Sequence, residues 1–365
     1  MMMTTTTTVT TILAIDLAKA RSLFCWHDVV KGTHQIRQVP STPQAFHDAL
    51  VSRAVDRAII EVCDMAGWVK DLCESLQIPL QIANGNTEGW RWRNVKRKTD
   101  KDDALKLISL SLTHQLPTVT LPGRPVRQWK SLILYRQKLI ERRTRVKNRV
   151  HALLVSEGKA MSGGRKAWGE ASLAELGRLA KPIADCTMGE LWQGQLHLEL
   201  GALDDLNHAI ERLDRKLDEL GEADARVIRL QTIPGVGPRL SELVVAVIDD
   251  PGRFKNVRQV SAYAGLVPRR YQSGTMDRSG RISKAGCGKL RKLLVEIAWG
   301  MLRHNDHGKG VFKRISKGQK TRRKQAAVAL ARRILGWCWA MLRDQTDWRD
   351  PAAGGAAAPL PAAMT

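Results

Sequence analysis

The chain lacks any CxxC pair and any Cys/His set at zinc-finger spacing among its six cysteines, Cys25, Cys63, Cys73, Cys186, Cys287 and Cys338. That excludes a zinc module and points to reduced thiols in a cytosolic protein. It has no run of ~18 apolar residues, so no membrane span is expected. Met1–Val9 is rich in Met and Thr and has no basic n-region, so it does not read as a signal peptide. There is no GxxxxGK[ST] loop to cradle a nucleotide triphosphate, and no internal repeat. Carboxylates are scarce. Asp and Glu number 36 against 59 Lys and Arg, a net charge of +23 over 365 residues. None falls between Asp306 and Asp344, where Lys309, Lys313, Arg314, Lys317, Lys320, Arg322, Arg323, Lys324, Arg332 and Arg333 crowd together. Such an excess favours a nucleic-acid partner, because Lys and Arg neutralise phosphates and release counterions. The length allows two or three domains with real cores.

The first third alternates strand and helix. TILAIDL (Thr11–Leu17) reads as a buried strand ending at an Asp, Ala20–Asp28 as its hairpin partner and His34–Val39 as a third strand. Helical spacing covers Pro43–Ser52. Arg57–Cys63 is a fourth, buried strand, followed by a helix over Ala66–Leu76 and a short strand at Leu80–Ala83. Asp102–His114 is amphipathic and helical. Three strands, a helix, then strand and helix in turn specify an α/β sheet with an antiparallel edge, the element order of a ribonuclease-H-like fold.

LPGRP (Leu121–Pro125) breaks the chain. A long basic helix follows, Trp129 to about Ser156, with Leu132, Leu139, Val146 and Leu153 at every seventh position. After a loop at Gly158–Gly164 comes a second run: Leu196, Leu200, Leu203, Leu206, Ile210, Leu213, Leu217 and Leu220. Spacings of three and four sustained this long indicate a coiled-coil seam or a helical hairpin. They do not say whether the partner lies in the same chain or another copy. Beyond Val227 the pattern is short helices, Gly-rich turns and basic clusters.

Against this basic background four acids stand out. Asp16 ends the first strand and Glu61 lies near the end of the fourth, strands that neighbour each other in a ribonuclease-H-like sheet. Asp100 and Asp103 are three apart at a helix start, on one face, where negative charge is tolerated. Hard oxygen donors with no His or Cys among them suit Mg2+ or Mn2+. Such ions can activate an attacking oxygen and stabilise a leaving one in phosphodiester cleavage. Asp102 points off the shared face and reads as a cap or solvated charge; Asp64 is a weaker fifth candidate.

TIPGVGP (Thr232–Pro238) sets Gly235 and Gly237 between apolar residues ahead of a helix over Leu240–Ile248. It resembles a helix-hairpin-helix turn, in which backbone N–H groups meet a phosphate without reading sequence. Further on, Ser273 is followed by a glycine and preceded by Arg269, Arg270 and Tyr271. A serine attacking phosphate needs an accessible hydroxyl, backbone room and cations, and this stretch supplies all three. Ser279 and Ser283 compete with it, although Ser283-Lys284 can instead cap the next helix. Trp90 and Trp92 lie among Arg91, Arg93, Lys96, Arg97 and Lys98, where they can stack on bases or fill a core.

Asp16, Glu61 in AIIEVCDMAGW, and Asp100 and Asp103 in KTDKDDA resemble the DEDD domain of the insertion-sequence-110 family of transposases, relatives of the Piv-type DNA invertases. TIPGVGP, FKNVRQVSAYAGLVPRRYQSG and GRISKAGCGKLRKLLVEIAW resemble that family's C-terminal domain. The likeness runs from Thr11 to about Leu342; Val-Cys-Asp-Met-Ala-Gly after Glu61 departs from the family's small-residue turn. The resemblance implies a RuvC-like domain over residues 11–120, a coiled-coil region over 121–225 and a transposase domain over 226–345, with disordered segments at 1–10 and 346–365. It implies that Asp16, Glu61, Asp100 and Asp103 bind Mg2+ or Mn2+. It makes Ser273 the nucleophile that forms a phosphoserine link to DNA. It also implies donor and target DNA as partners, guidance by a bridge RNA, a homodimer or homotetramer, and a cytoplasmic, nucleoid-associated, bacterial-type setting. Arg269, Arg270 and Tyr271, with Gly235, Gly237 and Lys284, are the expected contacts to nucleic acid in the last domain. Arg142 and Arg143 on the long helix, Arg97 and Lys98, and Arg322 and Arg323 are expected to hold RNA or DNA backbone. A RuvC-like structure-specific endonuclease that uses water, with Ser273 a bystander, is the alternative.

Overall fold

The computed structural model describes residues 9–85, 99–161, 167–274 and 276–349, which form two units, Met1–Pro125 and Val126–Thr365. In the first, strands β1 (Thr11–Asp16), β2 (Arg21–Asp28), β3 (Thr33–Pro40), β4 (Arg57–Glu61) and β5 (Leu80–Ala83) make one sheet in the order β3-β2-β1-β4-β5. β1, β2 and β3 pair antiparallel, whereas β1, β4 and β5 run parallel. Alternation along the strands divides the core. Leu13, Ile15, Ala58 and Ile60 face the helices α1 (Pro43–Val51) and α2 (Ala66–Ser75), together with Phe24 and Phe46, whose rings meet edge to face at 4.8 Å. Trp68 packs against Phe46 there, so this tryptophan is a core residue. Ile12, Ala14 and Ile59 face α3 (Asp100–Leu112) through Ala104, Leu107 and Ile108.

α4 (Arg124–Ser156) and α6 (Leu191–Glu222) run along each other in the second unit. Arg136 pairs with Asp214, Arg143 with Asn207 and Arg149 with Glu199. As the number rises on α4 it falls on α6, so the helices form an antiparallel hairpin within one chain. On α6 the fully sequestered residues are Leu196, Leu203, Ile210 and Leu217, at heptad spacing. On α4 Leu139 and Val146 are buried as the repeat requires, but Leu132 and Leu153 yield to Ile133, Val150 and Leu154. A straight helix drifts ~20° per heptad, so an exact sevenfold repeat walks off the seam at its ends. α5 (Glu170–Leu179) covers the far end of the hairpin through Leu176.

The remaining helices are α7 (Ala225–Gln231), α8 (Pro238–Ile248), α9 (Val257–Tyr263), α10 (Gly288–His304), α11 (Asp306–Ser316) and α12 (Arg323–Asp344). They enclose one large core in which every residue of α8 from Leu240 to Ile248 is buried. Trp348, within the stretch expected to be a disordered tail, packs on this core and donates its backbone N–H to Thr232 Oγ1 at 2.9 Å. Among the described residues no helix is long and apolar enough to cross a membrane.

An exposed two-stranded ribbon, β6 (Pro268–Ser273) and β7 (Met276–Ile282), stands between α9 and α10. The reading of helices and Gly-turns beyond Val227 does not contain it. A ribbon open on both faces has no alternating apolar pattern to betray it.

Candidate functional site

Register places the acids. Ile15 of β1 lies opposite Ile60 of β4, so Asp16 and Glu61 follow at the same end of neighbouring parallel strands. By alternation they share the face of Ile12, Ala14 and Ile59, the face that α3 covers. The direction of α3 comes from its other end. Ser111 Oγ donates to Gln81 and accepts from Arg57, the first residue of β4. From Ser111 back to Asp103 the helix rises about 12 Å. From Arg57 to Glu61 the strand advances about 13 Å. The first turn of α3 is therefore level with the ends of β1 and β4. The helix buries Ala104, Leu107, Ile108 and Ser111, and one turn upstream the same stripe continues as Asp100 and Asp103. All four acids thus lie on one face at the C-terminal ends of β1 and β4, Asp16 and Glu61 on the strands and Asp100 and Asp103 in the first turn of α3. Asp16, Glu61 and Asp103 are half-buried and each engages neighbouring groups, whereas Asp100 is exposed. Their carboxylates are not drawn into one coordination sphere: among the described residues no three His, Cys, Asp or Glu side chains sit close enough to hold an ion together.

Asp102 has a different task. Thr99 is the N-cap of α3, its Oγ1 accepting from Asp102 N at 3.3 Å. The Asp102 carboxylate in return accepts from Thr99 N at 3.1 Å and Oγ1 at 2.6 Å. These bonds hold the Asp102 carboxyl below the usual range. Asp64 is exposed in the turn between β4 and α2, off the α3 stripe.

α7 and α8 are joined by the Gly-turn. Gly235 has φ +89° and is exposed, and Gly237 is the N-cap of α8 with Pro238 at its first helical position. Proline there pre-sets the helix and removes a donor that has no intrahelical partner. A Cβ at Gly235 would sit 3.4 Å from the Met301 side chain. α8 also holds Glu242, a fully buried carboxylate whose Oε2 accepts from Arg239 at 3.0 Å. Arg239 in turn pairs with Asp218 of α6. Burial pushes Glu242 up to about 7, and the nearby Arg239 only partly opposes this.

Ser273 closes β6, opposite Met276 of β7, so the two strands are linked by a two-residue turn whose first member, Gly274, has φ +55°. Ser273 is exposed, as is the whole of β6. The ribbon is rooted by backbone contact. Ser283 N donates to Val267 O at 2.8 Å and Lys284 N to Gly265 O at 3.2 Å, while Arg291 Nη1 donates to Ala264 O at 3.0 Å. Arg269 is exposed and reaches Ser283 O at 3.5 Å. Arg270 is committed to Asp277 through Nε–Oδ1 at 2.9 Å and Nη2–Oδ2 at 2.5 Å, contacts that raise Arg270 and lower Asp277. Ser283 does not cap α10, whose N-cap is Cys287. Its hydroxyl is buried with no partner among the described residues, and two left-handed residues, Lys284 and Gly286, separate it from the helix start.

The other expected contacts are dispersed. Arg142 is exposed on α4, whereas Arg143 faces α6 and donates to Asn207. Arg323 lies over the Trp299 ring at 5.8 Å and Arg322 is half-buried beside it in sequence. Burial, with the like charges of Arg314 and Arg332 nearby, lowers Arg333. Arg97 and Lys98, with Trp90 and Trp92, lie outside the described residues.

Residues 13–157 match a family model described as "Transposase", the DEDD type of the IS110 group, and residues 228–313 match "Transposase IS116/IS110/IS902 family". A probable family 20 transposase of Pseudomonas aeruginosa is 30% identical over 343 residues, spanning 92% of this chain and 98% of the relative. The transposase for insertion sequence element IS1111A of Coxiella burnetii is 28% identical over 93% of this chain and 91% of its own. A pilin gene-inverting protein of Moraxella lacunata is 32% identical over 152 residues, 38% of this chain and 46% of that protein. The DEDD match takes in the sheet and the first turn of α3, and the second match takes in the Gly-turn and the ribbon. The five-stranded mixed sheet is consistent with a RuvC-like fold. By the agreement of both domain matches and a relative aligned over nearly its whole length, this chain belongs to the IS110 family of transposases.

Proposed function

We propose that this transposase exchanges DNA strands through a serine–phosphate intermediate. Asp16, Glu61, Asp100 and Asp103 would hold Mg2+ or Mn2+, for which their hard oxygens are suited and which would polarise the scissile phosphate and screen its charge. Ser273 Oγ gives up its proton and bonds to phosphorus while the P–O3′ bond breaks, and the freed 3′ oxygen takes up a proton. In the second step the 3′-hydroxyl of the exchanged strand displaces Oγ, which recovers its proton. One phosphoester replaces another at each step, so no nucleotide hydrolysis is required, in keeping with the missing GxxxxGK[ST] loop. Two or four subunits bring donor and target DNA together, the acids of one working with the serine of another. A bridge RNA, held on exposed cations such as Arg142 and Arg323, supplies the sequence choice.

The observation that favours serine over water is the exposure of Ser273 at the tip of a ribbon, beside a glycine that leaves the backbone open. The pilin gene-inverting relatives point to DNA rearrangement as the outcome. The test is denaturing electrophoresis after reaction with a supercoiled plasmid carrying the gene in its native flanks. A protein–DNA adduct that Ser273→Ala abolishes is expected. Cleavage by the unmutated protein with no adduct would assign the attack to water and make the protein a RuvC-like nuclease. Sequencing of co-purified RNA should return one defined transcript from those flanks; a mixture of cellular RNAs would remove the guide from the proposal.

A further inference from the structure

The ribbon has two unlike faces. The register pairs Ser273 with Met276, Gln272 with Asp277, Tyr271 with Arg278 and Arg270 with Ser279. Since side chains alternate, Ser273, Tyr271, Met276 and Arg278 share one face, with Arg269 and Gly280 at its end remote from the serine, and Gln272, Arg270, Asp277 and Ser279 share the other. Two contacts fix this division. Arg270 reaches Asp277 on the second face with two of its guanidinium nitrogens, Nε and Nη2. On the first, the Tyr271 ring crosses to the opposite strand, its Cε2 lying 3.0 Å from where a Gly280 Cβ would be. The cation beside the serine in sequence is therefore turned away from it and already neutralised. The cation beside the serine in space is Arg278, five residues on.

Arg278 stands diagonally across from Ser273, a separation of about 7–8 Å that long side chains bridge. It is exposed, and its face contains no carboxylate to compete for it. Tyr271 is directly opposite Arg278 and 53% exposed, with an aromatic face open to a base or sugar. We propose that Arg278 holds the scissile phosphate over Ser273 Oγ, with Tyr271 stacking beside it. Arg270 and Asp277 instead maintain the ribbon's shape as a cross-strand pair. This rests on Ser273 being the nucleophile. A guanidinium at that diagonal donates to the phosphate oxygens as Oγ attacks, a positioned charge of the kind that stabilises a phosphoryl transition state.

The same plasmid and the adduct assay test it. Arg278→Ala is expected to lower adduct formation about 10²-fold, the usual cost of removing one positioned donor. Arg278→Lys should restore part of it, and free guanidinium ion added to Arg278→Ala should restore more, a rescue that a purely structural role does not allow. Arg270→Ala, which removes the cross-strand pair with Asp277, should lower adduct formation less than Arg278→Ala does and should gain nothing from added guanidinium ion. The proposal is overturned if Arg278→Ala forms adduct normally. It is equally overturned if adduct is lost without guanidinium rescue, or if Arg270→Ala is the more damaging variant. Ser273→Ala separates the two layers: adduct persisting there refutes the nucleophile itself, whereas adduct lost there but kept in Arg278→Ala refutes only the assignment of the cation.

Discussion

Gly286→Ala should detach the serine ribbon from its root. Gly286 has φ +66°, and an added Cβ would lie 2.1 Å from the Tyr263 carbonyl oxygen, a backbone atom with no rotamer to change. The left-handed conformation costs an alanine about 1–2 kcal/mol. Relieving the clash requires moving a backbone segment by about an ångström, comparable to overpacking at about 1–3 kcal/mol. The sum, about 2–5 kcal/mol, shifts local opening by at least about 30-fold. The opening is local because the ribbon contributes nothing to the large helical core, while its root is held by Ser283, Lys284 and Arg291. Limited trypsin digestion reads it directly, since Arg269, Arg270, Arg278 and Arg281 all lie in the ribbon. Cleavage there should accelerate about 30-fold or more, with helical circular dichroism retained and adduct formation reduced. Gly274→Ala is the internal control: it shares the positive φ but meets nothing within 4 Å, so only the conformational cost applies. Equal digestion rates for the unmutated protein and Gly286→Ala would refute the reasoning, because they would mean that the root is not a backbone-to-backbone contact.

Asp103→Asn should abolish strand cleavage while leaving DNA and RNA binding within a few-fold in a mobility-shift assay, since it removes the charge of a proposed metal ligand and keeps the basic surfaces; joint loss of binding and folding would make the acid structural. Glu242→Gln should remove a pH dependence of stability. The folded carboxyl sits at about 7 against an ordinary 4.5, so the native state holds its proton more tightly. Stability from this group is full below about 4.5 and declines as pH rises through about 7, by at most about 3 kcal/mol. Urea unfolding of the unmutated protein and the Gln variant should therefore diverge between pH 5 and pH 8, with the variant gaining at the higher pH; parallel curves would contradict the assignment. Asp102→Ala should lower the thermal unfolding midpoint through loss of the capping box, without the total loss of cleavage expected for Asp103→Asn.

Much of the first unit was legible because its elements announce themselves locally. Apolar runs ending in acids marked β1 and β4, and a stripe beginning at Asp100 and Asp103 marked α3. The capping role of Asp102 was readable because a cap is made by residues three apart. The packing of Trp68 on Phe46 was not legible, since the two lie 22 positions apart on different helices and no local spacing links them. The ribbon went unread because its residues are exposed on both faces. With it went the opposition of Arg270 and Arg278.

The amino-acid order alone settled the α/β character of the first unit, the heptad register of Leu196, Leu203, Ile210 and Leu217, and the position of four acids at the ends of predicted elements. Those are properties of spacing, and spacing acts through the fixed geometry of a helix turn or a strand pleat. Folding in three dimensions decided the rest: that α6 finds α4 of its own chain, that α3 runs against β4 so its first turn meets the strand ends, and that Arg278 rather than Arg270 shares a face with Ser273. Each depends on which segments lie beside each other and in which direction. Pairing is settled by burial and hydrogen bonding between residues far apart in the chain, which no local periodicity encodes.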